Sequence, residues 1–145
     1  ITMDIDSHEP KTITEIIKEL ESGYDFVIGS RYMKDGKCDY TGYRNFISRY
    51  GNKLIKKVLN IDLDEFTTSF RGFNLKRIQD FDLNELKFSG YSFLMEAVFT
   101  IHSKGYKITQ IPIYFRERKF DKSKMARIEL FRAFINLFIL FFKRS

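Results

Sequence analysis

The 145-residue chain has one cysteine, two prolines, two histidines and no tryptophan. A single thiol, Cys38, excludes an internal disulfide framework and a zinc site built from several cysteines. A reducing cytosolic setting is the simpler expectation for it. The uninterrupted apolar run near the C terminus, Leu137–Phe142, is six residues long, far short of the roughly 20 that a bilayer-spanning helix needs. No signal-peptide pattern and no initiator methionine are present. The chain opens on Ile1-Thr2-Met3, which reads as the end of a β-strand just ahead of an acidic cluster. A natural chain rarely starts in mid-strand, so a preceding segment is expected.

What is there suits one ordinary globular domain: 43% apolar and 30% charged residues over a length that supports one core and not two. Sixteen Phe and eight Tyr favour strands and amphipathic surfaces without naming a function. The net charge of +6 is concentrated. Residues 115–145 hold nine Lys or Arg against three acids, leaving the rest near neutral. Such a tail favours phosphate on a lipid, a nucleic acid or a substrate, and a solvated basic face is the plainer alternative.

Periodicity predicts alternating helices and strands, hence an α/β fold. Ile13, Ile16, Ile17 and Leu20 recur at helical spacing after Pro10, and Ser22-Gly23 closes that helix. Tyr24–Gly29 reads as a buried strand and Ser30–Gly42 as a polar loop. Tyr43–Leu59 reads as a basic amphipathic helix with Phe46, Ile47, Leu54, Ile55 and Val58 as its apolar face. Glu65–Asn74 looks extended. Ser92–Lys104 reads as a helix capped by Gly105. Lys107–Phe115 reads as a strand that Pro112 makes an edge or irregular one. In Ala126–Phe142 one stripe runs through Ile128, Phe131, Ile135, Phe138 and Phe142, and a second face through Leu130, Phe134, Leu137 and Phe141. With basic residues at both ends, that helix suits a membrane interface; burial against another domain is the alternative.

Three Asp-x-Asp pairs occur, Asp4/Asp6, Asp62/Asp64 and Asp80/Asp82, so the motif alone decides nothing. Only Asp4/Asp6 lies between a strand-like stub and a helix start, where α/β folds place ligands and two carboxylates can share a divalent cation with a diphosphate. His8 could add a third ligand. Arg31, just after the Tyr24–Gly29 strand, faces the same rim, and its planar fork suits phosphate. Arg44 and Arg49, five apart, cannot share a helix face, whereas Ser48 follows Arg44 by four and can. The run Arg116–Lys124 holds five cations in nine residues, including Arg118 and Lys124 around Ser123, and reads as a phosphate clamp or a lipid-facing loop.

Taken in order, MDIDSHEP, VIGSRY, YRNFISRYGN, TTSFRGFN, SGYSFLMEAVF and IPIYFRERKFDKSK resemble the dolichyl-phosphate mannose synthases and their bacterial and archaeal relatives, family 2 glycosyltransferases. The resemblance covers roughly residues 1–125. It implies the C-terminal portion of an A-type (nucleotide-diphospho-sugar transferase, Rossmann-like) fold, with 1–125 a partial catalytic domain and 126–145 an amphipathic membrane-interface helix. It also implies transfer of a sugar, mannose or glucose, from a nucleotide-sugar donor to a polyprenyl or dolichyl phosphate with inversion. By the same resemblance Asp4, Asp6 and His8 serve a divalent metal, Mg or Mn. Arg31, Arg44 and Ser48 hold the acceptor phosphate, and Arg118, Ser123 and Lys124 close over the phosphates. Asp6, Arg118 and Lys124 then carry the catalytic charge. The expected location is the cytoplasmic face of a membrane, peripheral or anchored by segments outside this chain. The isolated stretch, without the first nucleotide-binding strands, is expected to be inactive.

The pattern is not kept throughout. A one-residue gap puts Ser7 instead of His8 at the third ligand, often Gln in the family. Ser69 replaces a usual Gly, Glu65 an Asp, Leu94 a Gln and Asp121 the loop Gly, while Glu96 is kept. Two rivals remain. A family 2 transferase with a saccharide acceptor needs a carboxylate base, Glu96 or Asp64. A non-catalytic module could bind membrane or nucleic acid through interleaved aromatics and cations, but its acidic loop would repel a phosphate backbone, and no nucleic-acid partner is expected.

Overall fold

The computed structural model describes residues 1–4, 9–116 and 127–144. Along the chain come α1 (Thr12–Glu21), β1 (Phe26–Ser30), β2 (Lys37–Cys38), α2 (Gly42–Leu59), β3 (Arg71–Phe73), a short 3-10 turn (Leu83–Glu85), α3 (Gly90–Ser103), β4 (Ile108–Pro112), β5 (Tyr114–Phe115) and α4 (Arg127–Arg144). The architecture is mixed α/β, consistent with a glycosyltransferase domain.

β1 is the organising strand. All five of its residues are buried, as a strand covered on both faces requires. It pairs in parallel with β4 and antiparallel with β3, giving the order β3-β1-β4. Alternation along it sends Phe26 and Ile28 into a core with Met95, Val98, Leu137 and Leu140. Val27 points the other way, into a core with Ile16 of α1, Phe70, Ile111 and Ile113. The two-residue period of a strand thus divides the helices: α1 covers one face, α3 and α4 the other.

The expected extended run Glu65–Asn74 forms a strand only at its end, β3. Residues before it are held by side chains, as described below. Part of the expected loop Ser30–Gly42 is strand β2, which pairs in parallel with β5. The expected single strand Lys107–Phe115 breaks at Ile113, so that β4 stays in the central sheet and β5 joins β2. Pro112 sits at that break, where a residue without an N–H costs least. Gly105 follows α3 with φ +80, the left-handed turn expected of it.

The apolar face predicted for α2 is only partly buried: Phe46 and Leu54 stand exposed, while Asn52 and Leu59 are the buried residues. On α4 the buried residues are Leu137 and Leu140, and the stripe from Ile128 to Phe142 is exposed. Both helices therefore turn an apolar side outward.

α1 lies so close to β3 that a Cβ on Gly72 would stand 2.2 Å from Ile16 Cγ2 and 3.1 Å from Leu20 Cδ1. Gly72→Ala is expected to destabilise the fold by about 2 kcal/mol, the usual scale of overpacking. In denaturant melts the pair with Ile16→Ala should cost less than the sum of the singles.

Candidate functional site

A cavity of about 370 Å³ lies between the end of the sheet and helices α2, α3 and α4. Its polar lining comes from Asp4, Arg31, Tyr40, Ser48, Asn52, Thr67, Thr68 and Ser69. Its apolar lining comes from Ile47, Leu54 and Ile55 of α2, Leu94 and Met95 of α3, and Leu130, Ala133, Phe134 and Leu137 of α4. Leu54 and Phe134 line the cavity and are also exposed, so it reaches the surface between α2 and α4.

The polar wall is fixed by a buried ion pair. Arg31, at the C-terminal end of β1, donates from Nε to Glu65 Oε2 at 2.7 Å and from Nη2 to Glu65 Oε1 at 2.8 Å. Thr67 Oγ1 donates to Glu65 Oε1 at 2.9 Å and accepts from Arg31 Nη2 at 3.1 Å. Glu65 also accepts the Thr67 backbone N–H at 3.0 Å. Asn52 of α2 completes the wall: its Oδ1 accepts from the Phe66 N–H at 2.7 Å, and its Nδ2 donates to the Ser48 carbonyl at 2.9 Å. An irregular segment beside a cavity thus has its backbone groups satisfied by side chains, where a ladder is absent.

Burial opposes charge on Glu65, yet the Arg31 guanidinium and the Thr67 hydrogen bonds outweigh it and hold the carboxyl below its ordinary range. Burial likewise opposes charge on Arg31, and Glu65 reverses that, so the guanidinium stays ionised. Arg71, buried behind the wall, spends its donors on carbonyls: Nε to Thr68 and Nη2 to Phe66, both at 2.7 Å, and Nη1 to Leu94 at 2.8 Å. Burial pushes its pKa down to about 9, still charged at neutral pH.

Asp4, Arg31 and Ser48 therefore line one cavity. Arg44 packs beside it, with its guanidinium carbon 3.9 Å from the Tyr40 ring centre and Nη2 donating to Tyr40 Oη at 2.9 Å. Ser48 Oγ accepts from Tyr32 Oη at 2.5 Å. Asp6, His8, Arg118, Ser123 and Lys124 lie outside the described residues. The guanidinium fork of Arg31, expected to face phosphate, is engaged by Glu65. Arg49 lies against Tyr32, its guanidinium carbon 5.4 Å from the ring centre.

Sequence reasoning missed Tyr40 and Asn52. Their signal was the four-residue spacing Tyr40, Arg44, Ser48, Asn52, which sets the last three along one ridge of α2. It also missed the pairing of Arg31 with Glu65, 34 positions apart, which no local pattern announces. The two carboxylates considered as bases are committed elsewhere. Glu96 Oε2 accepts the N–H groups of Lys87 and Phe88, each at 2.9 Å. Asp64 accepts from Lys56 at 3.1 Å and Gln110 at 2.9 Å.

A mixed α/β domain with a half-polar, half-apolar cavity is the class that this geometry defines. No family model matches the chain. Over 128 residues it is 27% identical to the polyprenol monophosphomannose synthase of Mycolicibacterium smegmatis, covering 87% of this chain and 48% of that protein. Over 139 residues it is 29% identical to the undecaprenyl-phosphate mannosyltransferase of Micrococcus luteus, covering 94% of this chain and 57% of that protein. The chain spans about half the length of the curated relatives it matches. These likenesses support a glycosyltransferase, and more particularly a polyprenyl-phosphate mannosyltransferase-like family.

Removing one partner of the buried pair leaves the other charge unpaired, so Arg31→Ala is expected to cost about 3–5 kcal/mol in denaturant unfolding. The depressed Glu65 carboxyl contributes stability that is complete above the unfolded value of about 4.3. That contribution is lost as pH falls through the lower folded value. Unfolding followed from pH 6 to 2 should show this acid loss in the wild type and a flatter slope in Glu65→Gln.

Proposed function

We propose that this chain is part of an A-type glycosyltransferase that moves a sugar, mannose or glucose, from a nucleotide-sugar to a polyprenyl or dolichyl phosphate with inversion. The observation that carries this reading is the cavity's division into two halves. A phosphate needs hydrogen-bond donors and cations, and an isoprenoid chain needs a dry apolar wall that opens toward lipid. Arg31 and Ser48 stand on one wall, with Arg44 beside them, and α2, α3 and α4 supply the other. The names of both relatives point to the same acceptor class.

The attacking atom is an oxygen of the acceptor phosphate, which forms the new bond to the anomeric carbon as the nucleoside diphosphate leaves with the electrons of the old one. That oxygen is already anionic, so no carboxylate base is required, in keeping with the structural employment of Glu96 and Asp64. The protein's task is to hold two phosphorylated reactants together against their repulsion. Arg44 and Ser48 hold the acceptor phosphate, with Arg31 as the neutralised floor beneath them. Arg118, Ser123 and Lys124 close over the phosphates.

For a divalent metal, Mg or Mn, the Asp4 carboxylate is a hard oxygen donor at the cavity, which fits such an ion. Asp6 and His8 are the other proposed ligands, and no cluster of three candidate ligands occurs among the described residues. When bound, the ion supplies charge neutralisation at the departing diphosphate.

The same reading locates the protein at the cytoplasmic face of a membrane. Of the seventeen large apolar side chains exposed among the described residues, twelve lie on α2 and α4, two helices that pack together. Arg127, Arg132, Lys143 and Arg144 accompany them on α4, the composition of an interfacial helix. No helix among the described residues is long and apolar enough to cross a bilayer.

The full natural chain, given a nucleotide-sugar and Mg or Mn, is expected to glycosylate a short polyprenyl phosphate and to leave saccharides untouched; transfer to saccharides alone would sink the reading. Gly51, on the cavity wall, has open space where a Cβ would stand. Gly51→Leu should therefore fold normally and gain helix propensity, yet raise KM for the lipid phosphate about tenfold or more by filling the cavity. Asp4→Asn should lower kcat/KM about 100-fold, roughly 2.7 kcal/mol of transition-state stabilisation. On vesicles, Phe131→Glu with Phe138→Glu should abolish sedimentation with anionic lipid, and high salt should weaken wild-type binding.

A further inference from the structure

Tyr40 joins Arg44 to the cavity that Arg31 lines directly. It stands between β2 and the start of α2 and lines the cavity. Its ring is braced edge-on by Phe115 of β5, with centroids 5.2 Å apart. The backbone beside it is tied to the same strand, since the Asp39 N–H donates to the Phe115 carbonyl at 3.0 Å.

Two guanidinium groups converge on this ring, Arg44 at 3.9 Å from its centre and Arg31 at 6.0 Å. The electron-rich face offsets part of their mutual repulsion. Arg31 is further neutralised by Glu65, through two hydrogen bonds. Tyr40 Oη also accepts from Arg44 Nη2 at 2.9 Å. A phenol that accepts still has one proton to give, and among the described residues no acceptor takes it. A cation donating to the oxygen polarises that O–H and strengthens any hydrogen bond it makes.

We propose that Tyr40 is a phosphate-recognition residue: its ring sets Arg44 at the cavity edge, and its hydroxyl donates to a phosphoryl oxygen of the ligand held there. The ligand class is a phosphate monoester whose charge meets the Arg44–Tyr40 pair together. The inference rests on the phosphate-acceptor reading, and it adds a phenol to the arginines and the serine expected to make that contact. Burial pushes the Tyr40 phenol above its ordinary pKa, so the proton is in place at neutral pH.

Tyr40→Phe keeps the ring and removes only the hydroxyl; Tyr40→Leu removes both. In the full natural chain, Tyr40→Phe is expected to raise KM for polyprenyl phosphate about tenfold, the scale of a hydrogen bond to a charged group. The kcat, the KM for nucleotide-sugar and the melting temperature should not move. Tyr40→Leu should raise the same KM further, because Arg44 loses its platform. An unchanged KM in Tyr40→Phe overturns the proposal. A rise in the nucleotide-sugar KM instead overturns it too, by assigning the hydroxyl to the donor's diphosphate. Calorimetric titration of citronellyl phosphate into wild type and Tyr40→Phe separates this from the catalytic reading. Weaker binding by the variant upholds the contact even where no sugar is transferred, whereas equal binding, or none by the wild type, overturns it.

Discussion

The buried pair Arg31–Glu65 is the constraint from which the rest of the site follows. Arg31 directly follows the central strand and Glu65 opens the irregular segment that leads into β3, so the pair fixes where the sheet's end meets the polar wall. Two charges taken from water are costly unless every lone pair and proton is answered. Here both carboxylate oxygens accept from Arg31, and Thr67 adds its hydroxyl and N–H to one of them. A pair satisfied to that degree also confers register. Thr67, Thr68 and Ser69 can line the cavity because the chain just ahead of them is held.

That arrangement divides labour among the arginines. Arg31 is neutralised within the protein, Arg71 is occupied by three carbonyls, and Arg44 rests on a tyrosine ring at the cavity edge. A guanidinium with a carboxylate in its fork contributes dipole and shape more than net attraction. A guanidinium on an aromatic face has its orientation set by the ring. Under the proposed function, attraction for an incoming anion thus comes from groups near the opening, and the interior supplies rigidity. Electrostatic catalysis asks for such preorganisation, because donors already in position pay no reorganisation cost during reaction.

The sequence announced some of this and not the rest, for physical reasons. Local periodicity found α1, β1, α3 and the glycine after α3, since each depends on spacing within a few residues. Strand-end logic singled out Asp4 and Arg31, and the family resemblance added Ser48 of α2; all three line one cavity. Glu65 as the partner of Arg31 was invisible, because pairing across 34 positions leaves no local trace; only its replacement of a usual Asp hinted that the position mattered. The apolar face of α2 was legible in the spacing, but which of its residues are buried was not, because that depends on what packs against the helix. Phe46 and Leu54 face out, while a polar residue, Asn52, faces in to satisfy the Phe66 N–H. The break of the last strand at Pro112 was foreseen as irregularity, but its consequence, a second small sheet carrying Phe115 against Tyr40, was not.

One helix shows how site and surface are coupled. α4 buries Leu137 and Leu140 in the core under β1 and lines the cavity with Leu130, Ala133, Phe134 and Leu137. It leaves the stripe from Ile128 to Phe142 exposed. Its ends are also fixed: Arg144 donates to the Val58 carbonyl in the last turn of α2 at 3.3 Å, where a cation complements the helix dipole. Glu129 lies close over Gly90, in the first turn of α3, where an anion does the same. Eight large apolar side chains of this helix stand exposed among the described residues, and contiguous apolar surface of that kind marks an interaction face. Placing that face against lipid covers it. It also sets the cavity's opening, between Leu54 and Phe134, at the level where an isoprenoid chain lies, so that under the proposed function the acceptor need never cross water to reach the arginines.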